Sequence, residues 1–311
     1  MTRADRVPHV ELVRVRAILG RGALTETLRG DVRPRASDAA ILTDVVVKRL
    51  HPNLADDQLA MRRVAEEARV LRRLQHAHIP RLLGLGDDAG LPFFAQERVD
   101  GGPLPAFVRL TPAEAVAIAV DVSAALAAAH EAGVVHRDVS ARNVLVDTSG
   151  RAFLIDFGVA RADDRPRLTR SGATLGTPAA MAPEQARGEE ASASADVWAL
   201  GSLLYGFLCG AHPLGITADD APATRLDKAR RATVRPMPLD LDGVDDALRA
   251  AVMAMLQSQA DARPPDGRAA HALLAALRPP SPRTRAALAK RAVGAHAADN
   301  ARGDTLDDVD G

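Results

Sequence analysis

The segment from His136 to Gly158 constrains this chain more than any other. His136-Arg137-Asp138 is followed five residues later by Asn143, and thirteen residues further on by Asp156-Phe157-Gly158. Two short apolar runs, Val144–Val146 and Phe153–Ile155, lie between Asn143 and Asp156. Asp147-Thr148-Ser149-Gly150 separates them, so the stretch reads as two strands and a turn. Such a hairpin can hold Asn143 and Asp156 at one point, and both carry oxygen. Hard Mg²⁺ takes oxygen ligands, often one or two carboxylates completed by phosphates. Asp138 is then left to orient a hydroxyl and accept its proton.

The chain on either side differs in pattern. Residues 11–50 alternate apolar and polar positions between glycines and predict strands. Val45-Val46-Val47 reads as a buried strand ending at Lys48. Asp56 to Gln75 lacks Gly and Pro and predicts a helix. Leu82 to Glu97 reads as two strands around Gly86–Gly90. Gly101-Gly102-Pro103 is the expected hinge, after which helical patterns take over. Pro112 to His130 is an alanine-rich helix, and Glu184 to Leu277 is mostly helical. Residues 161–181 read as a mobile loop. The tail over 279–311 opens with Pro-Pro-Ser-Pro, ends acidic and reads as disordered.

Composition narrows the class. Apolar residues make up 47% and charged residues 26%, as in a globular chain. Lys plus Arg equals Asp plus Glu at 40 each, so no bulk charge points to nucleic acid or a membrane surface. One cysteine, Cys209, excludes an intrachain disulfide and fits a reducing compartment. Met1 to Val10 lacks the apolar run of a signal peptide. The longest uncharged apolar stretch, Val197 to Gly210, is shorter than the ~20 residues that span a bilayer. A buried core helix is the expectation there, with no transmembrane helix and a cytoplasmic location. Lysine occurs only at 48, 228 and 290. Against that arginine-dominated background, Lys48 reads as a residue kept for its chemistry.

The His136–Gly158 segment resembles the protein kinase family, in its eukaryotic-like, bacterial serine/threonine form. Further matches run from about Leu12 to Leu277. Ala182-Pro183-Glu184 resembles the motif closing the activation segment. Asp196 resembles the helix aspartate that holds the backbone of the catalytic loop. Arg263 resembles the late arginine that pairs with the glutamate of the closing motif, here Glu184. The resemblance implies an α+β, bilobal protein kinase fold. A small β-rich N-lobe with one helix would occupy 1–97, and a larger, mainly helical C-lobe 98–278.

Lys48 matches the family lysine that grips the α- and β-phosphates, which pairs with a helix glutamate. Glu66 and Glu67 are the candidates. Helical spacing puts Glu67 on a face with Val64, Leu71 and Leu74, and Glu66 among Arg62, Arg63, Arg69 and Arg73. A carboxylate on an apolar face needs a partner, so Glu67 is the expected one. The resemblance also implies nucleotide contacts at Gly20, Gly22, Glu97 and Val99, and metal ligation by Asn143 and Asp156. Asp138 would be the base. His136, Phe157 and Leu71 resemble the stacked apolar column of the family.

The glycine-rich loop departs from its pattern. Gly20 and Gly22 remain, but Thr25 replaces the third glycine and Thr27 a valine. Val46 and Gln96 make the adenine side tighter and more polar than usual. Ser140 stands where many Ser/Thr kinases carry a lysine, and Arg142 where tyrosine kinases carry an arginine. Arg142 is taken to substitute in steadying the γ-phosphate, and Gly176-Thr177-Pro178 favours Ser/Thr specificity. Arg137 would meet a phosphate on the activation loop, with Thr169, Ser171 and Thr174 as acceptors. The expected activity is transfer of the γ-phosphoryl group of ATP, with Mg²⁺, to Ser/Thr hydroxyls of proteins. The alternatives are a pseudokinase acting as a nucleotide- or protein-binding module, and a small-molecule phosphotransferase. Expected partners are a protein substrate and a homodimer for trans-autophosphorylation, not nucleic acid or a membrane. Input is expected from a separate partner.

Overall fold

Alternating apolar positions in the N-terminal third build one antiparallel sheet in the computed structural model, which describes residues 7–35, 40–157, 180–277 and 280–303. The strands are β1 (Val10–Arg21), β2 (Thr25–Pro34), β3 (Leu42–Leu50), β4 (Leu82–Asp88) and β5 (Leu91–Gln96), in the order β1-β2-β3-β5-β4. Val10, Leu28, Val32, Val45, Val47, Phe93 and Ala95 form the core beneath it. The connection from β4 to β5 is tighter than expected, because Gly86 to Asp88 extend β4 and only Ala89-Gly90 turn, both left-handed. Helix α1 (Gln58–Arg73) packs on β3, β4 and β5. The Asp57 carboxylate caps it, accepting from Leu59 N (2.9 Å) and Ala60 N (3.0 Å). This unit runs to Arg98 and includes Phe157.

Val99 to Asp156 and the described residues from Ala180 onward form the second unit. A three-stranded sheet, β6 (Gly101–Pro103), β7 (Val144–Asp147) and β8 (Ala152–Leu154), is surrounded by helices. The glycines expected to be a hinge are strand β6, paired with β7. A Cβ at Gly101 would lie 1.9 Å from the Val146 carbonyl oxygen, so close strand approach explains that glycine. The units divide at Arg98/Val99.

The helices are α2 (Pro112–Glu131), α3 (Pro183–Arg187), α4 (Ala193–Cys209), α5 (Pro222–Arg231), α6 (Asp246–Met255), α7 (Gly267–Ala275) and α8 (Pro282–Gly303). Thr111 and Glu114 close a capping box at the start of α2, with Pro112 next to the cap. In length and composition α2 could cross a membrane, but it lies mostly buried within the unit, where Glu114 and Asp121 are ion-paired. The apolar stretch from Val197 is buried through Leu208, as a core helix.

The tail is not disordered where it is described. Ser281 Oγ accepts from Thr284 N (3.1 Å) and Pro282 occupies the first helical position, so the Ser-Pro pair starts a helix. Leu288 and Ala292 are fully buried, and α8 packs on α2, β6 and β7.

Candidate active site

The expected site residues fall into two sets, one in each unit. In the first, the β2–β3 register places Lys48 opposite Thr27, and the β3–β5 register places it opposite Phe94. Lys48 is 6% exposed, and its Nζ donates to Glu67 Oε1 at 2.7 Å. The ammonium also lies 5.8 Å from the Phe94 ring centroid. Glu66 pairs instead with Arg69 on the exposed face of α1. Glu67→Ala removes a charged hydrogen-bond partner from a buried ammonium, at a cost of about 1–3 kcal/mol. Glu66→Ala changes stability by less than about 0.5 kcal/mol. Thermal unfolding of the two variants checks the difference.

Gly22 closes the β1–β2 turn, donating its N–H to the Thr25 carbonyl (2.8 Å). A Cβ there would sit 3.3 Å from that same oxygen, whereas one at Gly20 would meet nothing within 4 Å. Gly20 also lacks a left-handed φ, so neither backbone nor packing calls for glycine at that position. Glu97 directly follows β5, and its carboxylate pairs with Arg81 at 2.8 Å. Gln96 is buried. Val99, in the second unit, accepts from Gly101 N at 3.0 Å.

The second set is built around Asp196, 1% exposed on α4. Its carboxylate accepts from His136 N and Arg137 N, each at 2.7 Å. That grip holds Arg137 at φ 68°, a left-handed value rare outside glycine. His136 is fully buried and bridges the loop to the hairpin. Its Nδ1 accepts from Asp138 N (3.2 Å), so Nε2 carries the hydrogen donated to the Ile155 carbonyl (2.9 Å). Sequence reasoning missed a third partner of Asp196. His130 Nδ1 accepts from Gly267 N (2.9 Å), which leaves Nε2–H for Asp196 Oδ2 (2.9 Å). Nothing in the sequence around His130 signals this, because Gly267 lies 137 residues away.

Asp138, Arg142 and Asn143 come together as expected. Asn143 donates through Nδ2 to the Asp138 carbonyl (2.8 Å) and to Asp138 Oδ2 (3.1 Å), which leaves Asn143 Oδ1 as its remaining side-chain acceptor. Arg142 donates to the same Oδ2 at 2.8 Å. Asp138 Oδ2 is thus held by two donors, and Oδ1 has none among the described residues. Ile155 N donates to the Asn143 carbonyl (2.9 Å), which ties Asp156, the next residue, to Asn143. Asp156 is also left-handed, at φ 62°.

Ser140 Oγ and Arg137 Nε are buried without hydrogen-bond partners among the described residues. Ser140 brings no charge to the loop, so Arg142 is the cation beside Asp138. Gly158, Thr169, Ser171, Thr174 and Gly176-Thr177-Pro178 lie outside the described residues. Glu184 and Arg263 form the expected pair, with both guanidinium nitrogens 2.8 Å from carboxylate oxygens. No three His, Cys, Asp or Glu side chains converge as a cation cage among the described residues.

Comparison with known proteins identifies the family. A family model described as protein kinase domain matches residues 14–275. The DNA damage-responsive serine/threonine-protein kinase RqkA of Deinococcus radiodurans is 37% identical over 265 residues, covering 81% of this chain and 37% of that protein. The serine/threonine-protein kinase PknD of Mycobacterium tuberculosis is 38% identical over 221 residues, 68% of this chain and 32% of its own length. PknE of the same species is 35% identical over 238 residues, 74% of this chain and 41% of that protein. The chain thus spans roughly a third of the length of these relatives.

Proposed function

This chain belongs to the protein kinase domain family, and from that premise we propose that it transfers the γ-phosphoryl group of ATP to Ser/Thr hydroxyls of proteins. The observation that carries the reading is the state of Asp138. One carboxylate oxygen is fixed by Asn143 and Arg142, and the other is left to meet a hydroxyl. A base held in that way needs no rearrangement to accept a proton.

The donor set fits Mg²⁺. Asn143 Oδ1 and the Asp156 carboxylate are hard oxygen donors. So small a protein set suits an ion that keeps waters and phosphate oxygens in its shell. Bound Mg²⁺ neutralises charge on the phosphates. Lys48, oriented by Glu67, binds the α- and β-phosphates. Arg142 steadies the transferred group, in place of the lysine that Ser140 lacks. The open space above Gly20 suits a phosphate lying against the backbone. Positioning and electrostatics then supply the catalysis. Ser/Thr specificity is supported by the relatives, all named as serine/threonine kinases.

The pseudokinase reading has no observation in its favour. Lys48, Glu67, Asp138, Asn143 and Asp156 are all present, and the altered glycine-rich loop leaves Gly20 and Gly22 in place. Incubation with γ-labelled Mg-ATP and a mixed protein substrate tests the proposal. Label is expected on serine and threonine. A folded wild-type chain that labels nothing defeats the enzyme reading, and label confined to tyrosine defeats the specificity.

A further inference from the structure

Helix α8 begins beyond residue 275, where the family match ends, yet it is built into the hairpin that carries Asn143 and Asp156. Its first turn presents Arg285 to Asp121 of α2. Asp121 is 2% exposed and accepts both guanidinium nitrogens, one at 2.7 Å. The same carboxylate accepts from Ala152 N (2.8 Å), the first residue of β8. Arg285 also donates to the Gly150 carbonyl in the β7–β8 turn (3.0 Å). Gly150 is left-handed at φ 79°, and a Cβ there would lie 1.9 Å from the Arg285 carbonyl oxygen. Turn and helix therefore meet backbone to backbone, and any larger residue would force them apart.

The contact continues along α8. Leu288 and Ala292 are buried, and Arg291 Nε donates to Glu114 Oε1 (2.7 Å). Glu114 is also the acidic member of the α2 capping box. Burial pushes the Glu114 carboxyl up, but hydrogen bonds from Arg291 and Thr111 outweigh it and hold the group below the usual carboxylate range.

The hairpin gripped at its turn is short. Asn143 immediately precedes β7, and Asp156 follows β8 by two residues. A shift at Gly150 or Ala152 thus reaches both oxygen donors through only a few residues of paired strand. We propose that Arg285 is a positioning residue for the phosphoryl-transfer site and that α8 is part of the working kinase unit. Acting through Asp121 and Gly150, Arg285 sets the β7–β8 hairpin and so the placement of Asn143 and Asp156. This rests on the kinase reading above only for its catalytic consequence.

The test uses the full chain with Arg285→Ala and Arg285→Lys, and Arg283→Ala on the exposed side of α8 as control. Two quantities are read: amide hydrogen exchange over 144–155, and the Mg²⁺ concentration giving half-maximal phosphotransfer. Arg285→Ala is expected to speed exchange at Ala152 by about tenfold. It should raise the Mg²⁺ requirement at least about threefold, less than the loss for a residue touching a metal ligand directly. Arg285→Lys should fall between it and wild type, with KM for the protein substrate unmoved and Arg283→Ala unchanged. If Arg285→Ala does not fold, Arg285→Lys carries the comparison. Unchanged exchange in the variants overturns the proposal. Faster exchange or lower Tm with an unaltered Mg²⁺ requirement makes α8 a strap only, and overturns it too. A wild type that transfers no phosphate defeats the kinase reading, while hydrogen exchange still decides whether Arg285 holds the hairpin.

Discussion

Asp138→Asn is expected to lower kcat for phosphotransfer by about 10²–10⁴-fold, the range for loss of a positioned general base. The substitution keeps the shape of the side chain. Its amide oxygen can take the place of Oδ2 and still accept from Asn143 and Arg142. The amide nitrogen then stands where Oδ1 was, and it cannot accept a proton. Asn143 and Asp156 keep their oxygens, so nucleotide affinity should change little. The loss should therefore appear in kcat, with KM for ATP near the wild-type value. Steady-state kinetics beside a circular-dichroism melt read both. A variant that folds and retains wild-type kcat would remove Asp138 from the chemistry.

Arg263→Met is expected to destabilise the fold by about 3–5 kcal/mol, as breaking one half of a buried ion pair does. Arg263 is 4% exposed and Glu184 5%. Besides Glu184, the guanidinium donates to the carbonyls of Gln257 (2.7 Å), Ser194 (3.1 Å) and Ser258 (3.1 Å), and it lies over the Trp198 ring at 5.0 Å. Methionine fills much of the volume and leaves a buried carboxylate and three carbonyls without their donor. The double variant Glu184→Leu/Arg263→Met should recover part of the loss, because the uncompensated charge is gone. Urea unfolding midpoints measure both. Equal stability of wild type and Arg263→Met would make the pair incidental.

The pairings that were legible in the sequence share a property: each joins a motif to a motif, or lies within helical reach. Glu67 could be separated from Glu66 because α1 is amphipathic and the period decides which carboxylate faces inward. The Glu184–Arg263 and Asp196–loop contacts came from the family resemblance, and the structure contains both. The illegible contacts are those between residues with no local pattern. Asp121 and Arg285 are 164 positions apart, one in the alanine-rich helix and the other in a tail that reads as disordered. Helix α8 was hidden for a related reason. Pro-Pro-Ser-Pro resembles a linker, and over 282–292, where the side chains are described, the buried apolar ones are Leu288 and Ala292. So sparse a stripe gains its stability from the surface it lands on, which no window of its own sequence displays. Gly101-Gly102 misled as a hinge signal because glycine pairs mark flexible points and close strand crossings alike.

The grip of Asp196 on the catalytic loop has a thermodynamic corollary. Non-glycine residues held in left-handed backbone, as Arg137 and Asp156 are, lie about 1–3 kcal/mol above their relaxed conformations. At Arg137 the restraint comes from a carboxylate on α4, a helix buried from Ser194 through Leu208. The loop's working shape is therefore enforced by folding itself. Under the proposed function, a substrate that binds at Asp138 would meet a loop whose reorganisation entropy has already been lost, so its own binding energy would not be diverted into ordering that loop.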